Sequence, residues 1–445
     1  MTGSLRFEHL FLDVGYVTRR NSHPRRHTSL GRVLLEPGQG DRPVTKVCLR
    51  CERSNQDRES SADRWTSTGA ETSDVNNPQL DPGDIAALFD RARLRMAREL
   101  RGLTQVQLAR EVGSVTAASI SQFENGHTKP ATSTLLRLAV VLRVPPSFFA
   151  APVRPPAKDQ INGFFRSLRS TSPRDRQQAL AYVHLARELA LELEKHVALP
   201  DLNLPRVPIE ENHPLQPADI EQAAAQVRAH WNVPRGPVQD VVRLLEINGI
   251  IVVRFRVSIE KVDAFCVDFP DRPVVALGAD KGLRDRSRFD GAHELGHLVL
   301  HGVTGKIGDK VTENQAHAFA AAFLMPADDI KSELPARLDW PAFLRLKAKW
   351  HVSLAALLVR AKTLGVMSEH TYAQGWKALS ARGWRKVEPG PLGNPEAPVL
   401  LHRALELMET TGVSFTDFIN SSGLPESDVR TLLSRDISER PRVEF

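Results

Sequence analysis

Between residues 84 and 150 apolar positions recur at helical spacing and are punctuated by capping signals. Ala86, Leu88, Ala92, Leu94 and Leu100 predict a first helix and Thr104 to Val112 a second. Ala117 to Glu124 predict a third, stopped at Asn125-Gly126, and Thr134 to Leu142 a fourth; Pro145-Pro146 opens a last one. Leu108, Ala109, Ile120 and Phe123 fall on the inward faces. A long amphipathic helix follows from Pro173 to about His196, with Leu180, Val183, Leu185, Ala186, Leu189 and Leu193 on its apolar side. The pattern then alternates: helices over 217–231 and 238–248, three short β-branched runs at 249–255, 263–268 and 273–277, and helices again to residue 382. Residues 394–398 read as a linker into a last pair of helices, whose Pro425, Glu426 and Asp428 suit packing better than phosphate.

Residues 1–80 lack periodic apolar pattern and are rich in Arg, Ser, Asp, Asn, Gly and Pro, so little stable structure is expected there, as an extension ahead of the folded modules. Cys48-Leu-Arg-Cys51 lies within it, a lone pair without the second pair that a zinc site needs. With Cys266 these are the three cysteines of the chain, too few for a disulfide framework. No apolar run is long enough for a leader or a membrane span. The expected compartment is therefore the cytoplasm, with no membrane partner. At 445 residues the chain has room for several domains.

Chemistry concentrates in Arg288-Phe-Asp-Gly-Ala-His293-Glu294-Leu-Gly-His297-Leu-Val-Leu-His301. Residues four apart share a helical face, so His293 and His297 can offer two imidazole nitrogens to one metal ion. Glu294, beside them and outside the pair, can take the proton of an activated water. Ala292, Leu295, Leu298 and Val299 set this helix against a core. A third ligand is expected from the next helix, where Glu313 lies on the same side as Ala316 and Ala320; a carboxylate there is costly unless it is paired or bound to metal. His317 is the competing ligand, with a supporting or core role as its alternative. His301 falls four residues after His297, not six, and is read as a helix-end or supporting histidine.

Together with Glu-x-x-Ala-His-x-Phe-Ala-Ala-x-Phe-Leu-Met-Pro at 313–326, the run resembles the ImmA/IrrE metallopeptidases of bacteria. The resemblance implies zinc held by His293, His297 and Glu313, with Glu294 as catalytic base, over residues 210–390. Gln315 departs from the family pattern, in which many members carry Glu. It also implies a protein substrate, a repressor or antitoxin-like partner cut in response to a signal. A transcription factor whose peptidase-like domain senses metal or ligand without cleaving is the alternative, and a toxin–antitoxin component acting through protein contacts a third reading. None of Tyr16, Tyr182 and Tyr372 is near the motif, so no oxyanion-stabilising group can be named.

Leu-Thr-Gln at 103–105, Ser-Gln-Phe-Glu-Asn-Gly at 121–126 and Lys129-Pro130 resemble the Xre/lambda-repressor type of helix-turn-helix. The resemblance implies double-stranded DNA as partner, with Gln105 and Lys129 on phosphates and Thr116, Ala117, Ala118, Ser121 and Gln122 facing base edges. Residues 84–150 carry nine Lys/Arg against five Asp/Glu, most of the chain's net +6. The recognition helix holds no Arg, and its turn is one residue longer than in many members; a helical bundle used only for protein contacts is the competing reading. Paired half-sites make a homodimer the expected form.

The expected architecture is thus multidomain: an all-α helix-turn-helix bundle at 84–150, a linker and amphipathic helix at 151–209, a mainly helical α+β zincin-like domain with a small three-stranded sheet at 210–390, and a C-terminal helical hairpin at 391–445. Of the three strands, Val274 to Leu277 leads most directly into the metal-binding helix and is the expected edge for an extended peptide.

Overall fold

The computed structural model describes residues 5–6, 81–150, 172–207, 215–255, 264–278, 283–302 and 310–433. The chain is mostly helical, with one small mixed sheet. Apart from a two-residue strand, β1 (Leu5–Arg6), which pairs in parallel with β2 (Val197–Ala198), the expectation for residues 1–80 lies outside the described residues, as do those for Cys48 and Cys51 and for the linker at 154–158.

The first helical unit comprises α1 (Pro82–Ala87), α2 (Arg91–Leu100), α3 (Gln105–Val112), α4 (Ala117–Asn125), α5 (Thr132–Leu142) and a single 3-10 turn (Pro146–Phe149). The single helix expected across Ala86 to Leu100 is therefore two. Asp90 is extended and its carboxylate accepts from Ala92 N, which starts a new helix and leaves Leu88 exposed. Thr104 and Gln107 form a capping box on α3, Gly113 ends it in the left-handed region (φ 72°), and Thr116 caps α4 by accepting from Ser119 N. Leu94, Leu108, Ile120, Leu135 and Leu138 are fully buried between these helices.

Helix α6 (Pro173–Leu193) joins this unit to the rest. Its one side meets α2, through Arg93 to Glu188 at 2.6 Å and Gln178 to the Leu100 carbonyl at 2.8 Å. Its other side packs on the sheet, and Arg187 reaches Asp271 at 2.9 Å. A helix covered on both sides carries small and apolar residues around most of its circumference, and Ala179, Ala181, Val183, Leu185, Ala186, Leu189 and Ala190 are all buried.

After α7 (Pro217–His230) and α8 (Val241–Ile247), strands β3 (Ile251–Phe255), β4 (Ala264–Val267) and β5 (Val274–Gly278) pair in the order β3-β5-β4. β5 runs parallel to β3, with Ile251 opposite Val274, and antiparallel to β4, with Ala264 opposite Leu277. β5 is therefore central, which corrects its assignment as the peptide-accepting edge: both of its sides are already hydrogen-bonded. The chain skips the central position on passing from β3 to β4 and then returns antiparallel into β5, which leaves β4 on the outside, next to α9 (Arg284–Leu300).

α9 packs closely on α10 (Lys310–Leu324). Gly296 makes that approach: a Cβ there would sit 3.2 Å from both Cα and O of Ala316. Helices α11 (Ala327–Ile330), α12 (Trp340–Trp350), α13 (Leu354–Thr363) and α14 (Glu369–Ala381) follow. The 394–398 segment is not a free linker. Glu396 is buried and accepts from Val241 N at 2.7 Å and Val242 N at 3.2 Å, capping α8, and it also pairs with buried Arg288. In return Glu246 of α8 accepts from Val399 N and Leu400 N at the start of α15 (Leu400–Thr410). The last helices are α16 (Phe415–Ser422) and α17 (Glu426–Leu433). Buried Asp428 accepts from Arg101 at 2.7 and 2.6 Å and from the Tyr182 hydroxyl at 3.0 Å, so this hairpin packs on α2 and α6. Among the described residues no helix is long and apolar enough to cross a membrane.

Candidate metal centre and nucleic-acid interface

On α9, His293, Glu294 and His297 are all buried. Arg288, one turn earlier and 1 % exposed, anchors the helix by donating to the carbonyls of Val238 and Gln239 and to Glu396. Gly296 lets α10 close in, and this brings Glu313 over the histidine pair. Nε2 of His293 lies 3.1 Å from Nε2 of His297 and 3.3 Å from Glu313 Oε2, while Glu313 Oε1 lies 3.7 Å from His297 Nε2. Zinc bonds of about 2.0–2.1 Å in tetrahedral geometry put neighbouring donor atoms about 3.3 Å apart. Two imidazole nitrogens and a carboxylate at these separations therefore fit one such ion.

The surroundings set the protonation of these groups. Burial holds the pKa of His297 far below the usual histidine range, helped by His293, His301 and His317, so it is neutral and has a lone pair to give. For His293 burial acts in the same direction, but the hydrogen bond to Glu313 and the charges of Glu294 and Glu313 outweigh it and raise the pKa. The same bond to His293 lowers that of Glu313. Burial pushes Glu294 up to about 7, a value suited to a group that must both take and return a proton near neutrality. Cys266 on β4 lies 3.7 Å from the Glu294 carbonyl and its thiol is pushed well up by burial, which keeps it protonated.

His301 and Gln315 extend the centre outward. Nδ1 of His301 lies 3.1 Å from Nδ1 of His297, and its Nε2 lies 3.0 Å from Gln315 Oε1. Because an amide oxygen only accepts, His301 Nε2 carries a proton. With that tautomer, Nδ1 of His301 is placed to accept from His297 Nδ1–H, an arrangement that leaves His297 Nε2 as the lone pair facing Glu313. Gln315, to which the motif alone assigns no role, thus completes the chain. His293 has no equivalent support: its Nδ1 is buried without a hydrogen bond among the described residues.

His317, one turn after Glu313 on α10, also joins the cluster. Its ring meets that of His293 edge to face at 4.4 Å, and a ligating nitrogen lies within 4.8 Å of the donor atoms of His293 and Glu313. Although the residue is exposed at its outer edge, desolvation of the ring against its neighbours and the nearby His293 lower its pKa.

In the first helical unit, Thr116, Ala118 and Gln122 are exposed on α4, with Ser121 half-buried and accepting from Asn125. Ala117 is half-buried and packs against the core, so it offers less of itself to a base edge than its position in the motif suggests. Gln105 donates to Glu124 Oε2 at 2.9 Å, and Lys129 to the Ala87 carbonyl at 2.6 Å. Glu124 is 2 % exposed and held by Arg98 at 2.6 and 3.0 Å. This buried pair ties α2 to α4; spacing alone does not reveal it, because its partners are 26 residues apart.

Residues 94–149 match the family model described as Helix-turn-helix, and residues 245–362 match the model described as IrrE N-terminal-like domain. The second match contains His293, Glu294, His297 and Glu313. No curated protein matches the chain.

Proposed function

We propose that this chain, in which a helix-turn-helix domain of the Xre type precedes an IrrE/ImmA-like peptidase domain, is a DNA-binding regulator that uses a zinc-dependent endopeptidase centre to cut a repressor or antitoxin-like protein. The observation that carries this reading is the convergence of His293, His297 and Glu313 to within 3.1–3.7 Å beside the buried carboxyl of Glu294. His293, His297 and Glu313 would hold the ion. Zinc, when bound, supplies Lewis acidity to a water and to the scissile carbonyl. The Glu294 carboxylate accepts the water proton and returns it to the leaving amine nitrogen, a cycle that a pKa near 7 favours in both directions. The Gln315–His301 pair keeps His297 in the tautomer that points its lone pair inward. β4, the outer strand beside α9, replaces β5 as the strand that would align an extended substrate by main-chain pairing.

For DNA, the exposed Thr116, Ala118 and Gln122 of α4, with Ser121, support base contact in the major groove, and Gln105 and Lys129 are assigned to phosphates. Both of these hold intramolecular partners that phosphate would have to replace. A homodimer on paired half-sites fits Leu136 and Val140, exposed one turn apart on α5. The sensor reading, with metal bound and nothing cut, is favoured by one observation, the extra donor at His317.

Incubating the zinc-loaded chain with Xre-type repressors tests the proposal against a Glu294→Gln variant. Cleavage by the chain alone supports it. Equal cleavage by both removes Glu294 from its role, and metal binding without cleavage by either favours the sensor.

A further inference from the structure

We infer that His317 is a fourth, displaceable ligand of the metal centre, so that the resting site is closed and opens when His317 swings away. This deepens the metal-centre reading above and rests on it.

His317 Nδ1 lies 2.7 Å from the Glu313 carbonyl oxygen on its own helix. A carbonyl only accepts, so Nδ1 carries the proton and the lone pair of the neutral ring is on Nε2. That tautomer makes Nε2 a metal donor and not a hydrogen-bond donor, which rules it out as an oxyanion stabiliser in this pose. One nitrogen of the ring lies within 4.8 Å of the ligating atoms of both His293 and Glu313, so a modest turn of this exposed side chain brings Nε2 to the ion that His293, Glu313 and His297 would hold. α9 and α10 then contribute two donors each at i, i+4 spacing: His293 and His297 from one, Glu313 and His317 from the other. Four protein donors fill a tetrahedral site, whereas zinc centres that work on substrate keep one position open.

The four differ in exposure. His293 and His297 are buried and Glu313 half-buried, while His317 is exposed. The donor on the solvent side is the one an arriving substrate can displace. Releasing it costs one metal bond, the hydrogen bond to the Glu313 carbonyl and the ring contacts with His293 and Phe289, all made by this one side chain at the solvent edge of the α9–α10 pair. A closed resting centre limits indiscriminate hydrolysis and makes activity depend on a substrate or partner able to move His317.

X-ray absorption on the zinc-loaded full-length chain and on His317→Ala tests this directly, because imidazole scattering counts coordinated histidines. The inference predicts three imidazoles in the chain and two in the variant. It also predicts zinc affinity about tenfold or more weaker in the variant by chelator competition, a loss at least as large as that from removing a supporting residue, and recovery of the third imidazole when free imidazole is added. His317→Gln serves as a second variant of similar bulk, and the exposed position tolerates both. Two imidazoles in chain and variant alike, with equal affinity, would overturn the inference and leave the three-ligand centre standing. Zinc bound by neither, nor by the chain at any loading, would instead overturn the metal-centre reading beneath it.

Discussion

Nδ1 of His301 stands 3.1 Å from Nδ1 of His297, and Gln315 fixes the direction of that hydrogen bond by accepting from the far side of the His301 ring. A supporting residue of this kind holds a ligand's tautomer and ring angle without touching metal. Replacing Gln315 with Leu, or His301 with Phe, is therefore expected to weaken zinc binding about 10- to 100-fold while leaving the fold intact. Chelator competition reads the first effect and circular dichroism the second. Unchanged affinity in both variants would remove this pair from any role in the centre.

Metal uptake should depend on pH through His293. Burial opposes its protonation, but the bond to Glu313 and the charges of Glu294, Glu313 and Asp290 together raise its pKa above the ordinary 6.5, and a protonated imidazole cannot ligate. Zinc affinity should then fall as pH drops through this raised value, starting at a higher pH than an ordinary histidine would give. In Glu313→Gln the histidine loses its anionic partner and its pKa falls. The residual affinity of that weakened variant should begin its decline at lower pH, and an unshifted profile would contradict the coupling.

Glu246 gives a stability prediction away from the metal. It is fully buried and burial pushes its pKa up to about 8, against an ordinary 4.5, while it accepts from the backbone at the start of α15. The folded state therefore holds a proton that the unfolded chain loses first, so stability falls between about pH 4.5 and 8. Glu246→Gln keeps an acceptor oxygen and cannot ionise. Its stability relative to the parent should rise across that window, by on the order of a few kcal/mol at the alkaline end. Parallel denaturation profiles of the two proteins would contradict this.

Gly296 sets the distance between α9 and α10. A methyl there would press on Cα and O of Ala316 at 3.2 Å and on the Phe319 ring at 3.1 Å, and backbone on one side cannot yield. Gly296→Ala should cost about 1–3 kcal/mol by overpacking, despite the better helix propensity of Ala. Since the same approach carries Glu313 to the histidines, zinc affinity should fall with it. Thermal melts and metal titration measure the two effects, and a stabilised variant would refute the close-packing account.

On the DNA side, Gln122 is an exposed residue of α4 able to pair bidentately with a base, and unlike Asn125 it is not engaged with Ser121. Gln122→Ala should cost about 1–3 kcal/mol of discrimination between operator and mismatched duplex and little non-specific affinity. Equal selectivity would favour a bundle used for protein contacts.

The parts of this molecule legible from sequence were those with local causes. The helix stop at Asn125-Gly126, the i, i+4 histidines and the small-residue side of α10 at Ala316 and Ala320 follow from spacing within one or two elements. Strand order was not legible, because β5 becomes central only by inserting between two strands that both precede it in sequence, and alternation does not encode which neighbour is chosen. The break at Asp90 was hidden by apolar periodicity continuing through it. Glu396 looked like a linker residue because both groups it satisfies, the start of α8 and Arg288, lie more than a hundred residues away. His317 was weighed as a competitor to Glu313 for one ligand position; their i, i+4 spacing puts the two side by side, and the packing of α10 on α9, which spacing does not encode, brings both to His293.

The most direct test of the central claim is the zinc content of the purified chain beside His297→Ala and Glu294→Gln. The account predicts close to one zinc per chain in the parent and in Glu294→Gln, whose carboxyl is not a ligand, and loss of zinc in His297→Ala. A parent chain that holds no zinc, or a His297→Ala variant that keeps it undiminished, would contradict the site assembled from α9 and α10.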